Sequence, residues 1–473
     1  MTLTIDELLK KPEGKTLEFK RDLSSPRNFL RTLVAFANTA GGRLIIGIDD
    51  QSHDPFGVNN PLDEEERLCS LIADSIEPRL VPNIEIIDVG GKSLLLVDVY
   101  LSNSRPHWIK REGPEGVYVR LGSTNRKADR ELIAELKRSV DGVSYDELPV
   151  PQTTIDDIDL NAMNAAFDSR GSLTDQELVT LKLLVRDQGQ LVPSKGAMLL
   201  FGKQRELHFP DAWIQCGRFR GKDKADIYDH IEIHNHLPIV VVKMMEFLKK
   251  HAIRSADFSE LKRRDIWSIP ITILREAIIN SVVHADYSQI GAPIRLAIFD
   301  DRIEIENPGI LLPGLTMDDL KLGISKIRNR VIARIFRELD LIEQWGSGLR
   351  RIFTEAETQK LRAPELLEVG TRFRFTVYLS GEFVSKEIES GVESGVESGV
   401  ESKMGKEILQ YLKSKTLGKK DIAAKLGKSK PTRHLNDLMR KMLENGFIEY
   451  TIPDKPNSSR QKYRMTDKGR KIL

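Results

Sequence analysis

The stretch from Arg275 to Tyr287 constrains this chain more than any other. Glu276, Asn280 and His284 recur at four-residue spacing with apolar residues between them, so on a helix they stack into one polar stripe along an otherwise buried cylinder. A buried helix with such a stripe needs a reason for it. One reading is chemical. Asn280 offers an amide oxygen to a magnesium ion, which takes few protein ligands beside substrate phosphates, and Glu276, one turn away, orients or deprotonates an attacking water. The other reading is structural, with the polar residues capping neighbouring loops.

The segments after this helix bear on that choice. Strands at Ile294 to Phe299 and Arg302 to Glu306 flank the turn Asp300-Asp301 and end in Asn307-Pro308-Gly309, a tight loop where backbone approaches a ligand. Gly346-Ser347-Gly348 then precedes an apolar-periodic helix, Leu349 to Ala356, and puts free amides at a helix N-terminus. This ordered set resembles the GHKL ATPase fold of gyrase-type, Hsp90-type and histidine-kinase ATP sites, in a divergent form. The resemblance implies ATP with Mg2+. It makes Glu276 the water-activating residue, Asn280 the magnesium ligand, Asn307 to Gly309 the adenine-side turn and Gly346 to Gly348 the phosphate loop. His284 and Asp286 complete the candidate set. One departure stands out: the usual Asp-x-Gly-x-Gly turn reads Glu306-Asn307-Pro308-Gly309-Ile310 here. Ser325 to Arg330 would be a lid with Lys326 or Arg328 near the phosphates, or else a solvated basic turn.

With 473 residues the chain exceeds what one hydrophobic core fills, so several domains are expected. The net charge of +2 hides a split. From Lys403 to Leu473 there are 19 Lys or Arg against 7 Asp or Glu, leaving a tail of +12 on a body of about −10, the pattern of a nucleic-acid-binding tail. Cys69 and Cys216 are the only cysteines and form no close pair, so neither a disulfide framework nor a zinc site is indicated and a reducing cytoplasm fits. No run of 18 apolar residues occurs, and none is expected to span a membrane.

Residues 1–140 read as an α+β domain: a short helix at 5–10, a strand at Leu17 to Lys20, a helix from Pro26 to Asn38 and a strand from Arg43 to Ile48. A helix from Glu64 to Ile76, strands at Ile84 to Val89 and Ser93 to Val99, and a basic hairpin of His107 to Lys110 with Gly116 to Leu121 come next. The blocks Glu18-Phe19-Lys20, Ala35 to Gly42, Ile46 to Asp50 and Val117 to Ser123 resemble the AlbA-like domain shared with the Schlafen proteins. That resemblance implies a DNA-binding module, whereas Schlafen relatives use the domain for RNA cleavage. Lys20, Arg21, Arg111, Arg120, Arg126, Lys127 and Arg130, with Trp108 and Tyr118 interleaved, suit phosphate contacts and base stacking. Glu13, Glu18 and Asp50 resemble the metal-holding carboxylates of the cleaving Schlafens; their plainer role is pairing with Lys20 and its neighbours.

Residues 141–154 are polar, Pro-bearing and without apolar period, and read as a linker. Residues 155–380 hold a connector and the ATP-type domain. The connector contains several helices and a strand pair, among them Ala197 to Phe201, Ala212 to Phe219 and the helix Leu237 to Lys250. His230, His234 and His236 read as exposed or satisfied histidines before they read as a metal cluster. Residues 381–403 carry a Glu-Ser-Gly-Val repeat, a flexible acidic tether. In 404–473, helices at Glu407 to Lys413, Lys419 to Leu426 and Pro431 to Glu444 precede a basic hairpin, Gly446 to Tyr450 with Lys462 to Met465. This resembles a winged helix-turn-helix, which would set Thr432, Arg433 and Asn436 against bases and Lys428, Lys430, Arg460 and Lys462 against phosphates.

The fold class expected is thus α+β multidomain: an AlbA-like domain, a GHKL-like α/β sandwich and a C-terminal winged helix. No helicase motor motif is visible, because Gly14-Lys15-Thr16 has Leu9, and Gly427-Lys428-Ser429 has Ile422, where a phosphate-binding loop needs its first Gly. The leading expectation is an ATP-binding, DNA-binding transcriptional regulator, a homo-oligomer by analogy with its domain types. The alternatives are a Schlafen-like metal-dependent nuclease acting on RNA or DNA, and a protein-interaction switch. Whether ATP is hydrolysed or only held is left open by the residues.

Overall fold

A computed structural model describes residues 4–49, 52–167, 172–251, 254–257, 264–342, 348–379, 403–413, 415–426, 433–452 and 461–470. The chain divides into two compact units, 1–380 and 381–473. Among the described residues no helix is long and apolar enough to cross a membrane.

After a short helix at Ile5–Leu9, the first unit contains strand β1 (Leu17–Lys20), helix α1 (Pro26–Thr39), β2 (Gly42–Ile46), a helix at Pro61–Ser75, β3 (Asn83–Val89) and β4 (Lys92–Val99). Pro26 at the first position of α1 presets its backbone. The sheet order is β1-β2-β4-β3, with β1 and β2 parallel and the other pairs antiparallel. Both faces are covered, as period-two alternation dictates. Leu44, Ile46, Leu95 and Val97 pack with Phe29, Leu33 and Phe36 of α1. Their neighbours Ile45, Leu94 and Leu96 pack with Leu8, Leu17 and Phe19 on the other side. The basic hairpin is formed by β5 (Tyr118–Leu121) with β6 (Thr124–Lys127), followed by α2 (Arg130–Asp141). The expected pairing of 107–110 with 116–121 is reduced to one bridge, Trp108 with Val117, because Trp108–Ile109 pairs instead with Ile76–Glu77.

In the connector, Lys195–Phe201 is a helix, with the Ser194 hydroxyl accepting from the Ala197 amide at 3.1 Å. An apolar run this short fits strand or helix, and the Ser cap decides. The second sheet has six strands, built from β7 (Ile214–Phe219), β8 (Ile227–Ile233), β9 (Ile294–Ile298), β10 (Arg302–Pro308), β11 (Glu365–Val369) and β12 (Arg372–Tyr378). Their order is β8-β7-β9-β10-β12-β11, with only β7 and β9 parallel. Helices α3 (Leu237–His251), α4 (Ile271–Val283) and α6 (Gly348–Thr358) lie side by side over it, and α5 (Arg330–Glu338) packs on the helix Lys195–Phe201 and the turn Tyr145–Glu147.

Residues 1–140 and 155–380 are knitted together. Lys15 Nζ meets Glu368 Oε1 at 2.8 Å with both side chains nearly buried, and the Gly314 amide donates to the Thr39 carbonyl at 2.6 Å. Within the polar stretch 141–154, Asp146 is fully buried and accepts from the Arg330 and Ile332 amides at 3.1 and 2.9 Å. It thereby caps α5 from outside that helix. Burial pushes its carboxyl up to about 6 against the pull of hydrogen bonds from the Ser144 hydroxyl and the Ile332 and Val331 amides.

The second unit contains α7 (Lys403–Leu412), α8 (Lys419–Lys425), α9 (Arg433–Glu444) and the antiparallel pair β13 (Ile448–Tyr450) with β14 (Tyr463–Met465). Ile408, Leu412, Ile422, Leu438, Met442 and Ile448 form its core.

Candidate functional site

Alternation along β10 sorts its side chains between two environments. Ile303 and Ile305 point to the helix side, while Glu304 and Glu306 are buried on the opposite face. Glu306 accepts from Arg374 Nε at 2.7 Å and approaches Arg372 and Lys224 at 3.6 and 3.8 Å. The Glu306 carboxylate is therefore engaged away from the helices. Asn307 faces them instead. Asn307 and Pro308 are not loop residues, since both pair in register with β12; only Gly309, at φ 104°, makes the turn.

Beneath α4 lies a cavity of ≈ 740 Å³, its mouth included. Ile305, Leu312, Leu349, Ile352, Phe373 and Phe375 make it apolar, and Asn280, His284, Asn307, Gly309, Lys326 and Arg328 supply its polar atoms. An adjoining space shares Asn280, His284, Ser325 and Leu349 and adds Glu276, Gly323, Arg337, Gly348 and Arg351. The polar stripe of α4 thus runs from a strongly apolar chamber into a second one where Glu276, Arg337 and Arg351 stand among apolar walls such as Ile279, Ile324 and Ile342. This is the layout that a flat apolar ring bearing a charged tail requires.

At the polar end Asn280 Nδ2 donates to Glu276 Oε1 at 3.1 Å. The Glu276 carboxylate presses against Gly348, the first residue of α6, so closely that a methyl group there would sit 1.7 Å from Oε1. A carboxylate at a helix N-terminus is also favoured by the helix dipole, so the catalytic and structural readings of Glu276 meet at the same atoms. Gly348→Ala is expected to swing Glu276 to another rotamer, lowering stability by no more than about 1.5 kcal/mol because only the flexible end of that side chain must yield. Chemical denaturation and a structure of the variant test the two halves of this expectation. An unmoved carboxylate would contradict it.

Burial, together with the Arg328 charge, pulls the His284 imidazole down to about 4, so its ring is neutral at pH 7. Burial and the nearby Arg105 lower Lys326, whose Nζ donates to the Pro313 carbonyl at 2.7 Å. Arg328 is buried and does not reach freely into the cavity. Its guanidinium is bound by Glu135 and by the Ile310 carbonyl, with Asp286 Oδ2 at 3.9 Å. Asp286 does not line the cavity; it lies behind Gly309 and accepts from the Ser288 amide at 3.1 Å. Gly346 lies outside the described residues. The apolar walls and Arg337 and Arg351 were missed by sequence reading. Phe373 and Phe375 carry the alternation that would have revealed them.

On the first domain Arg120 is corrected. It was expected to contact phosphates, but its side chain is 0% exposed and is held by Glu18, by the Gly14 carbonyl at 3.0 Å and by Asn125 Oδ1 at 2.9 Å. A group so enclosed cannot reach a ligand. Lys20 also pairs with Glu18, at 2.7 Å, and Glu13 accepts from the Phe19 amide at 2.9 Å. Asp50 lies outside the described residues. Among those described, no group of three His, Cys, Asp or Glu could hold a metal ion. Arg126 and Lys127 are exposed on β6. In the second unit Lys462 is exposed beside β14, Lys430 and Arg460 lie outside the described residues, and the side chains of Arg433 and Asn436 on α9 are likewise not described. His234 pairs with Glu206 at 2.5 Å and His236 with Asp159 at 3.5 Å, so these histidines are satisfied by carboxylates.

Three stretches of the chain match known families. Residues 13–129 match the family described as "Schlafen, AlbA_2". Residues 291–377 match "Putative ATP-dependent DNA helicase recG C-terminal", a span holding Asn307 to Gly348 but not α4. Residues 405–466 match the Fic-like C-terminal domain. No curated protein matches the chain. Among solved structures, the DIP2311 protein of Corynebacterium diphtheriae is 18% identical, with 97% of this chain and 93% of that one covered, at a TM-score of 0.42. The N-terminal domain of a RecG-related protein from Nitrosomonas europaea is 31% identical over 26% of this chain and 90% of that one, at 0.22. A Fic family protein from Desulfovibrio desulfuricans G20 is 12% identical over 72% and 77%, at 0.13. These TM-scores carry no argument about the site. The family matches place the resemblance: residues 13–129 are similar to the Schlafen-type AlbA_2 domain, and residues 291–377 to the recG C-terminal family.

Proposed function

We propose that this chain is an ATP-binding, DNA-binding regulator of transcription, in which nucleotide held beneath α4 sets how the basic surfaces meet nucleic acid. One observation carries the reading: the apolar chamber of the cavity opens onto the Glu276–Asn280 pair at the N-terminus of α6. The adenine would rest among Ile305, Phe373 and Phe375, with Asn307 replacing the missing carboxylate as its polar contact. The donor set suits Mg2+, for Asn280 supplies one neutral oxygen and leaves the remaining positions to water and phosphate. When bound, the ion would offset phosphate charge. Glu276 would then position water, and Lys326, Arg337 and Arg351 would face the phosphates. Nucleic acid would be met by Arg126 and Lys127 and, in a winged helix formed by the second unit, by Lys430, Arg433, Asn436, Arg460 and Lys462. The setting is the cytoplasm and the active form a homo-oligomer. The names of both matched families, one from Schlafen and one from an ATP-dependent DNA helicase, support the pairing of nucleotide with nucleic acid.

Linkage supplies the test. If ATP with magnesium changes DNA affinity by a factor of roughly 5 to 150, DNA must change ATP affinity by the same factor. Paired titrations on the full chain are expected to show that equality. Two titrations without any mutual effect would remove the regulatory coupling.

A further inference from the structure

Between α2 and α5, where the first domain meets the ATP-type domain, lies a cleft of ≈ 1490 Å³, its mouth included. Its walls are unusually basic. Arg105 and Arg138 come from the first domain, and Lys326, Arg330, Arg334 and Arg337 from the second. Among the described residues the only carboxylates lining it are Glu135 and Asp286, and both face Arg328. The other cations are oriented mainly by uncharged groups. Arg334 donates to the Thr180 carbonyl at 2.6 Å, Arg330 to the Gly142 carbonyl at 2.6 Å and Arg105 to the Ser139 hydroxyl at 3.1 Å. Arg138 lies over the Tyr145 ring at 5.2 Å. Acidic groups do touch this set: Glu147 lies 3.8 Å from Arg330, Glu135 also interacts with Arg138, and Asp319 with Lys326.

Helical spacing sets three of these charges in a row. Arg330, Arg334 and Arg337 follow at spacings of four and three, which is one face of α5, while Val331, Ile332, Ile335 and Phe336 bury the other. Like charges so spaced destabilise a helix. The row extends about 10 Å along the axis, longer than a single phosphate group needs. We propose that this cleft binds the sugar-phosphate backbone of a single nucleic-acid strand. A basic groove tracking a backbone is how single strands are held without sequence readout. The segment Ser325 to Arg328 lines both this cleft and the cavity beneath α4, so it forms a shared wall through which nucleotide and strand bias one another. The inference rests on the reading that the chain binds nucleic acid.

The test uses the full chain, a fluorescent oligonucleotide of about 20 nucleotides as single-stranded DNA or RNA, and the double variant Arg138→Gln/Arg334→Gln. Neither position lines the nucleotide cavity, so ATP binding should persist, with circular dichroism reporting the fold. Affinity is expected to fall at least about tenfold, and the slope of log affinity against log salt to shrink by roughly 0.7 for each phosphate no longer neutralised. An unchanged affinity and slope, with the wild type binding well, would overturn the cleft alone. Loss of binding in Arg126→Gln/Lys127→Gln but not in the cleft variant would do the same. Competition by duplex as strong as by single strand would overturn strand selectivity. A wild type that binds no oligonucleotide would remove the DNA-binding reading as well.

Discussion

Replacing Arg120 with Met is expected to destabilise the first unit by about 3 to 5 kcal/mol, the usual consequence of removing one partner from a buried ion pair. The guanidinium is fully enclosed and binds Glu18, Gly14 and Asn125 at once, while its own amide donates to Thr39 Oγ1 at 2.8 Å. It therefore ties β5 to β1, to α1 and to the turn before β1. Without it the Glu18 carboxylate keeps, among the described residues, the Lys20 ammonium, in a site 9% exposed. The double replacement Arg120→Met/Glu18→Leu should recover much of the loss, because no unpaired charge remains. Guanidinium denaturation followed by tryptophan fluorescence reads both values. A loss below about 1 kcal/mol in the single variant would show that Arg120 is not the enclosed group described.

Asn280→Ala is expected to weaken ATP binding in the presence of magnesium by about tenfold to a hundredfold, equivalent to about 1.4 to 2.8 kcal/mol. Two effects combine. The variant loses the one neutral oxygen that the α4 stripe offers a cation, and it frees Glu276 from the hydrogen bond that holds it at 3.1 Å. Calorimetric titration with and without magnesium separates the two. Loss of the magnesium dependence marks Asn280 as the ligand, whereas equal weakening in both conditions assigns it to positioning Glu276. Phosphate release measured alongside shows whether the bound nucleotide is turned over. Full affinity in the variant would move the nucleotide elsewhere and return α4 to the structural reading.

Local features of the site were legible before the fold was known. The four-residue spacing of Glu276, Asn280 and His284 marks one helix face, and α4 does run one polar stripe along the cavity. Gly348 was read as part of a phosphate loop opening a helix; the helix does start there, and the structure sets the Glu276 carboxylate against it. The failures share a cause. The sequence marked Glu306 to Ile310 as a departure from the usual turn but could not say where Glu306 points; strand parity turns it to the opposite face, where Arg374 and Arg372 hold it. Arg120 and Arg126 are both basic residues of one hairpin; one is enclosed and the other exposed.

By itself, then, the sequence determined whatever depends on neighbours within a turn or two: helix faces, strand alternation, the Ser and Pro helix starts, and the excess of positive charge after residue 403. Tertiary structure decided which of two strand faces meets a ligand, which basic residue is enclosed, and that Arg138 and Arg334 line one cleft. Arg120 and Glu18 are 102 positions apart, and Arg328 and Glu135 are 193 apart. Periodicity tells which side chains share a face but not what covers it, and that is settled only when distant segments pack and each buried charge must find its partner.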